Sequence, residues 1–308
     1  MLGPPAMSTE APEYAAAPLS PSGALVVSER WRRLALPALV FAALLALLYG
    51  HVLAHLVRQW WTDDNYSHGF LVPLFSGYLL WQRRALLAAA PIRGHWSGWP
   101  VLAGGLACLV LGDLAAENFL QRTSLIAVLA ALVLLHLGLD AFRLVAFPLA
   151  YLLFMVPLPA TVFYKIAFPL QHLAAVNSAW ALEMLGVPVL LDGNVIHLSR
   201  VTLGVAEACS GIRSLISLLA LAVAWAYVTM PLGAMAVLVG AAIPITIAAN
   251  AARIVATGLI GQTFGMQYAQ GFFHTFSGWL IFVVAFFCLL GVHGVIKGAA
   301  AVRRRARA

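Results

Sequence analysis

Long apolar runs separated by short polar turns dominate the pattern of the chain. The first run extends from about Leu34 to Val57 and follows Arg30, Arg32 and Arg33. It is longer than the core of a signal peptide, so we interpret it as a membrane-spanning helix. Similar runs follow at residues 67–82, 98–114, 123–139, 142–158, 211–230, 232–256 and 275–297. The pattern therefore predicts an all-α polytopic membrane protein with about eight transmembrane helices.

Two stretches between the fifth and sixth runs differ from simple spans. Residues 161–187 have a helical pattern but carry several polar side chains: Lys165, Gln171, His172, Asn177, Ser178 and Glu183. We expect this helix to lie at the membrane interface or to pack inside the bundle. Residues 188–208 contain the turn Asp192-Gly193-Asn194 and then the alternating Val195–Leu198. This second stretch predicts a short hairpin on the outer side of the membrane.

The same pattern sets the expected domain boundaries. Residues 1–29 are mostly Ala, Pro and Ser without periodicity, which predicts a disordered cytoplasmic tail. The transmembrane domain is expected at 30–298, followed by a basic cytoplasmic tail at 299–308. Of the 308 residues, 63% are hydrophobic and 9% are charged, whereas about 25% are charged in a typical soluble domain. The composition therefore excludes a soluble domain and makes membrane lipids a partner.

The distribution of charge indicates the orientation of the spans. Eighteen Lys and Arg against eleven Asp and Glu give a net charge of +7, but the cations are scattered between apolar runs, so no nucleic-acid surface is expected. With a cytoplasmic N-terminus, the inner side receives Arg30, Arg32, Arg33, Arg83, Arg84, Arg93, Arg143, Lys297, Arg303, Arg304, Arg305 and Arg307. An even number of spans then returns the C-terminus to the cytoplasm. On the outer side, Arg58 and Arg122 are interpreted as anchors for lipid headgroups.

Polar residues at the outer ends of the spans are the candidates for chemistry. About twenty residues of helix cross the hydrocarbon core, which is about 30 Å thick. Counting this length from the inner ends of three spans leads to Gly211, Arg253 and Thr275. Cys209, Arg253 and His274 are therefore expected at one depth, at the outer boundary of the membrane.

A cysteine in this position suits nucleophilic catalysis, because a helix N-terminus, a cation or a histidine favours its thiolate. His274 would take the thiol proton and return it to the leaving amine, while Arg253 would stabilise an oxyanion. His68 is a second candidate base or a substrate-positioning group, so the sequence leaves the identity of the base open. Asn250, one turn before Arg253, is a candidate to orient either partner. The other supporting candidates are Glu207, Ser210 and Arg213.

The remaining cysteines and histidines give no comparable signal. Cys108 and Cys288 have apolar neighbours, and their wide spacing argues against a disulfide framework or a Cys-x-x-Cys motif. His51 and His55 are separated by one helical turn, but no third ligand accompanies them. We therefore expect no metal and no other cofactor.

Several motifs resemble the exosortase/archaeosortase family of membrane cysteine proteases and transpeptidases. The stretch Ala-Cys-Ser-Gly-Ile-Arg-Ser at 208–214 is similar to the signature of that family. Further similar motifs follow the same order along the chain: Tyr66–Pro73, Leu80–Arg84, Pro157–Pro159, Pro169–Gln171, Gly186–Pro188 with Gly193-Asn194, Pro244 with Asn250–Ile254, and His274 with Gly278-Trp279. The resemblance covers about residues 30–297 and implies that Cys209, Arg253 and His274 are the catalytic residues.

The resemblance also implies a substrate class. Members of this family act on exported proteins whose C-terminal tail has a Pro-Glu-Pro-type (PEP-CTERM-like) motif, one transmembrane helix and a basic cluster. Cleavage would take place at the periplasmic face of the bacterial cytoplasmic membrane and would serve exopolysaccharide production or surface-protein sorting. A transporter for a polysaccharide precursor is an alternative, but the polar groups gather at one face and no internal repeat is visible. A non-catalytic membrane assembly subunit is a third interpretation.

Overall fold

The computed structural model describes residues 21–205, 211–269 and 272–305, with the backbone alone at 21–35, 38, 266, 269 and 272–275. Its helices are α1 (Pro21–Thr62), α2 (Leu71–Gln82), α3 (Arg84–Ala89), α4 (Gly98–Leu114), α5 (Asn118–His136), α6 (Leu139–Tyr151), α7 (Ala160–Met184), α8 (Ile212–Thr229), α9 (Leu232–Phe264), α10 (Met266–Ala269) and α11 (Phe272–Arg305). Two 3₁₀ helices are η1 (Asp64–Phe70) and η2 (Leu152–Met155). The three strands are β1 (Val189–Asp192), β2 (Val195–Leu198) and β3 (Thr202–Gly204).

The number of helices that can cross a membrane is smaller than the predicted eight. Within the described residues, five are long and apolar enough: Leu39–Thr62 of α1, α5, α8, α9 and Phe276–Arg305 of α11. A sixth is counted if α6 and α7, which are bent by 75° at a short break, form one broken span. The difference arises because an apolar run can contain a break. Residues 67–82 divide between η1 and the 12-residue α2, and α4 has only 17 residues.

Two helices extend into the segments that were expected to be tails. The first helix begins at Pro21, and α11 continues to Arg305.

The chain divides into two compact units. One has the residues up to Arg58 and Pro73–Val156, and the other has Gln59–Val72 and the residues from Pro157 onward.

The first unit has a core between α1, α4 and α5. Its buried members include Tyr49 and Leu125, and the Tyr49 hydroxyl lies 3.0 Å from Oγ of Ser124. On α5, Arg122 is only 3% exposed, and its Nη2 donates a hydrogen bond to Nδ1 of His55 over 3.0 Å. The interpretation of Arg122 as a lipid headgroup anchor is therefore wrong, because its guanidinium lies inside the protein.

In the second unit, α8, α9 and α11 pack through small and branched side chains. The buried cluster consists of Leu218, Ala222, Ala226, Leu238, Ala242, Ala285 and Leu289. Small residues let helix backbones approach closely, which favours association of helices in a membrane. This packing sets the positions of the helix ends that carry the candidate site.

A three-stranded antiparallel sheet with the order β1-β2-β3 packs on α7 and α9 in the same unit. The turn between β1 and β2 has Gly193 at φ +57°, which suits the first central residue of a type II′ turn. Nδ2 of Asn194 in this turn donates to Oε1 of the buried Gln171 on α7 over 3.2 Å. The polar side chains of α7 thus divide: Gln171 and Ser178 are buried, whereas Lys165 is exposed.

Candidate active site

The beginning of α8 is held against α9 by a glycine. Gly211 has φ +80°, a left-handed conformation that favours glycine, and it precedes the first helical residue Ile212. A β-carbon built on Gly211 would lie 3.0 Å from Cγ of Asn250, and Asn250 is 5% exposed. The backbone at Gly211 and the Asn250 side chain are therefore in close contact. This contact links the Cys-Ser-Gly segment of the sequence to α9.

The chain before this segment is also fixed. Val205 is buried in the core between the sheet, α7 and α9, and its N–H donates to the carbonyl of Asn194 over 2.9 Å. Residues 206–210 lie between Val205 and Gly211. The predicted nucleophile Cys209 and the supporting candidates Glu207 and Ser210 consequently lie outside the described residues.

Arg253 lies between α9 and α11. It follows Asn250 by three residues, and a β-carbon built on Gly278 would lie 3.4 Å from Nη1 of Arg253. Position 274 is one helical turn before Gly278 on α11. The side chain of His274 is outside the described residues, but its backbone belongs to the first turn of that helix. Gly278 thus leaves room for the Arg253 guanidinium near the beginning of α11.

The 3₁₀ helix η1 is attached to the first half of α8 by two contacts. Nη1 of Arg213 lies 3.2 Å from Oδ2 of Asp64, and Oγ of Ser217 lies 3.3 Å from Nδ1 of His68. On η1 the two contacting residues, Asp64 and His68, are four positions apart, and on α8 Arg213 and Ser217 are also four apart. Because residues four apart lie on one face of a helix, the two contacts form a short row along α8.

Two further contacts hold η1 in place. The hydroxyl of the buried Tyr66 accepts a hydrogen bond from the N–H of Leu158 over 3.1 Å. A β-carbon built on Gly69 would lie 2.4 Å from Nε1 of Trp60, so the glycine backbone packs directly on the indole ring. His68 therefore sits in a segment that is fixed on both sides of it, by Tyr66 and by Gly69.

The start of α8 combines the N-terminal end of a helix with the ion pair of Arg213 and Asp64. The N-terminal end of a helix carries a partial positive charge, and α8 begins after Gly211, a residue without a side chain. Nε of Arg213 is buried and has no hydrogen-bond partner among the described residues. In the same described ranges, no group of three or more His, Cys, Asp or Glu is arranged to hold a metal. The local field favours an anion at this end of the helix.

The structure brings several of the predicted residues into one neighbourhood. Asn250 contacts the start of α8 directly, and Arg253 follows it on α9. Arg213 belongs to α8, and His68 of η1 contacts the same helix through Ser217. Sequence reasoning missed Asp64 and Ser217, the partners of Arg213 and His68. Ser217 follows Arg213 by four residues and so shares its helix face, but only the packed structure pairs it with His68.

The helices of the chain indicate its class, and a family profile indicates its family. The five apolar helices long enough to cross a membrane make the chain a multi-pass membrane protein. The profile of the family described as transmembrane exosortase (Exosortase_EpsH) matches residues 60–291, three quarters of the 308 residues. The chain belongs to the transmembrane exosortase family. No curated protein and no solved structure matches it.

Proposed function

We propose that this membrane exosortase is a cysteine peptidase or transpeptidase that cleaves C-terminal sorting signals of exported proteins. The observation that carries the proposal is the convergence of three helix segments. Gly211 of the Cys-Ser-Gly segment contacts Asn250, and Arg253 on the same helix lies against Gly278 of α11. Membership of the exosortase family supports the same activity.

Chain geometry supports Cys209 as the nucleophile. Position 209 precedes Gly211 by two residues, and two residues of extended chain span at most about 7 Å. A thiol at position 209 is thereby restricted to the neighbourhood of Gly211 and Asn250. The partial positive charge at the start of α8 and the nearby guanidinium groups favour the thiolate form.

The proposed reaction has two steps. The Cys209 sulfur attacks the carbonyl carbon of the scissile peptide, a carbon–sulfur bond forms, and His274 holds the thiol proton while Arg253 stabilises the oxyanion. The carbon–nitrogen bond then breaks, and His274 gives its proton to the leaving amine. Water or an acceptor amine next attacks the thioester carbonyl, the carbon–sulfur bond breaks, and His274 passes the proton of the attacking group to the Cys209 sulfur. The choice between water and an amine distinguishes a peptidase from a transpeptidase.

The proposed substrates are exported proteins with a Pro-Glu-Pro-type motif, a transmembrane helix and a basic cluster at the C-terminus. The helix would lie in the lipid beside the enzyme, with the motif at the periplasmic face of the cytoplasmic membrane. The positions of the basic residues support this orientation. With α6 and α7 counted as one broken span, the six spans return both termini of the enzyme to the cytoplasm. Processing would serve surface-protein sorting or exopolysaccharide production.

Coexpression with a tailed reporter tests the activity. We expect Cys209→Ala to leave the reporter uncut while the enzyme accumulates normally, and Cys108→Ala, a change at a half-buried cysteine of the first unit, to leave cleavage unchanged. Mass spectrometry of the new C-terminus separates hydrolysis from transfer to an acceptor. Normal cleavage by the Cys209→Ala variant would overturn the proposal.

Thiol labelling tests the orientation separately. In a variant with Cys108→Ala and Cys288→Ala, a membrane-impermeant maleimide added to the periplasmic side should label Cys209. Labelling from the cytoplasmic side alone would contradict the proposed orientation, whatever the outcome of the cleavage assay.

A further inference from the structure

Arg213 and Asp64 form an exposed ion pair where η1 meets the start of α8. Nη1 of Arg213 lies 3.2 Å from Oδ2 of Asp64, and the two side chains are 42% and 76% exposed. Exposed pairs of this kind are weak, because water and salt screen the two charges. A second carboxylate that reaches this surface can therefore compete with Asp64 for the guanidinium.

The Asp64 carboxylate can leave the guanidinium without disturbing η1. The cap of η1 is the neighbouring Asp63, whose side chain accepts a hydrogen bond from the N–H of Asn65 over 3.0 Å. Further along η1, the hydroxyl of Tyr66 accepts from the N–H of Leu158. These contacts fix the segment independently of the ion pair.

Arg213 is close in sequence to the proposed nucleophile. It is the second residue of α8 and follows Gly211 by two residues. Side chains of a helix tilt toward its N-terminus, so Arg213 leans toward the Cys-Ser-Gly segment. Position 209 precedes Gly211 by two residues, which span at most about 7 Å. A carboxylate one or two residues from the scissile bond of a bound tail is thus within reach of the guanidinium.

The proposed sorting motif needs a cation of this kind. The prolines of a Pro-Glu-Pro-type motif have no N–H group, and they restrict the backbone to extended conformations. The glutamate carboxylate is then the charged group through which the motif is recognised. Such a group needs a cationic partner at a membrane boundary, because burying an unpaired charge is costly. Arg253 stabilises the oxyanion in the proposed reaction, and Arg213 is the cation in the first turn of α8.

We propose that Arg213 binds the acidic side chain of the sorting motif, and that Asp64 occupies the guanidinium in the absence of the tail. Oδ2 of Asp64 then lies where an oxygen of the substrate carboxylate binds. The exchange replaces one ion pair by another, so the arginine is not left without a counter-charge. The identity of the ligand as a sorting tail rests on the proposed function.

Binding of a fluorescent tail to the full-length Cys209→Ala variant in detergent micelles tests this contact without cleavage. The tail carries the motif, the transmembrane helix and the basic cluster, with either glutamate or glutamine in the motif. We expect the glutamate tail to bind about tenfold more tightly, and this ratio to fall to about one when Arg213→Gln is added. Adding Asp64→Asn instead should tighten binding of the glutamate tail by up to about fivefold, because the competing carboxylate is removed.

Asp63→Asn is the matched control. It removes the same charge one residue earlier, and an asparagine still caps a helix, so the affinities for both tails should stay as they are. A charge reversal supplies a second control. Arg213→Glu combined with Asp64→Asn should prefer a tail with lysine in place of the glutamate, a result that a folding defect does not produce.

A glutamate preference that persists in Arg213→Gln, or that is missing when Arg213 is present, would overturn the inference. Cleavage of the same tails by enzyme with Cys209 is measured in parallel. Binding with the expected preference but without cleavage would contradict the proposed peptidase and leave the carboxylate site standing. The two failures are therefore distinguishable.

Discussion

Gly211 and Asn250 are in direct contact, since a β-carbon added to the glycine would lie 3.0 Å from Cγ of the asparagine. Gly211 precedes α8, and Asn250 lies in the second half of α9. Because Arg253 follows on the same helix after three residues, this one contact relates the Cys-Ser-Gly segment to the arginine. The backbone conformation at this position therefore favours glycine, and the nearby Asn250 side chain leaves little room for a larger residue.

We expect Gly211→Ala to lower both stability and cleavage of a tailed reporter. A residue with a β-carbon at φ +80° is strained by about 1–2 kcal/mol, and the added methyl group is also in tight contact with Asn250. Thermal unfolding and reporter cleavage measure the two effects. The control is Gly233→Ala in α9, where the added β-carbon has no neighbour within 4 Å.

The double variant Gly211→Ala with Asn250→Ala separates the two causes. Removing the Asn250 side chain relieves the tight contact but not the strain at φ +80°. The stability loss of the double variant should therefore be smaller than the sum of the losses of Gly211→Ala and Asn250→Ala measured singly. Equal stabilities of Gly211→Ala and unmodified protein would contradict the importance of this contact.

Substitutions at Gly278 test the position of the Arg253 guanidinium. An added β-carbon at 3.4 Å from Nη1 is an ordinary van der Waals contact, so Gly278→Ala should be tolerated. Gly278→Val adds further carbons and should displace the guanidinium. A misplacement of about 1 Å at a reacting centre can reduce a rate by about a hundredfold, so reporter cleavage by Gly278→Val should fall strongly.

Gly291→Val on the same helix is the control for this change, because a β-carbon there meets nothing within 4 Å. It should cleave the reporter nearly as well as the unmodified protein. Equal cleavage by Gly278→Val and Gly291→Val would count against a role for the Arg253 position.

Part of this architecture was predictable from the sequence. Helical spacing alone relates Asn250 to Arg253, and the apolar runs identify a polytopic membrane protein. The number of spans was not predictable, because hydropathy does not distinguish a straight helix from a broken one. The bend between α6 and α7 follows the prolines Pro157 and Pro159, and the run at 67–82 contains the 3₁₀ helix η1.

The hydrogen-bond partners of the polar residues were harder to predict from the sequence than the polar residues themselves. Arg122 looked like an interfacial cation because its neighbours along the chain are polar, yet packing of α1 on α5 gives it His55 as a partner. Ser217 is an ordinary helical serine in the sequence. Its contact with His68 bridges 149 residues of chain and depends on how η1 packs on α8.

A glycine also controls the position of η1. In Gly69→Ala the added methyl group would lie 2.4 Å from the Trp60 indole, so the segment with His68 must shift. We expect lower thermal stability and a shift of the imidazole signals of His68, measured by ¹⁵N NMR of the protein in lipid nanodiscs. Gly77→Ala in α2, where a β-carbon meets nothing within 4 Å, should change neither quantity. An unshifted His68 spectrum in Gly69→Ala would be inconsistent with this packing.

The ion pair between Asp64 and Arg213 should contribute little to stability. Its side chains are 76% and 42% exposed, and exposed ion pairs typically contribute about 0.2–1 kcal/mol. A double-mutant cycle with Asp64→Asn and Arg213→Gln should give a coupling energy in this range that decreases at high salt. A coupling well above it would indicate that the pair is desolvated in the folded protein.

Arg122 and Arg58 allow a direct comparison of a buried and an exposed cation in the first unit. Arg122 is 3% exposed and donates to Nδ1 of His55, whereas Arg58 is exposed. Arg122→Met removes the hydrogen bond that the buried guanidinium donates to Nδ1 of His55, and hydrogen bonds to charged groups typically contribute about 1.5–3 kcal/mol. Arg58→Met should change the free energy of unfolding by about 0.5 kcal/mol or less. Unfolding of both variants in the same lipid or detergent measures the difference.

If Arg122 served as a headgroup anchor, the two substitutions would have similar small effects that depend on the lipid headgroup. A large loss at Arg122 that is independent of the headgroup is the result expected for a structural arginine inside the protein.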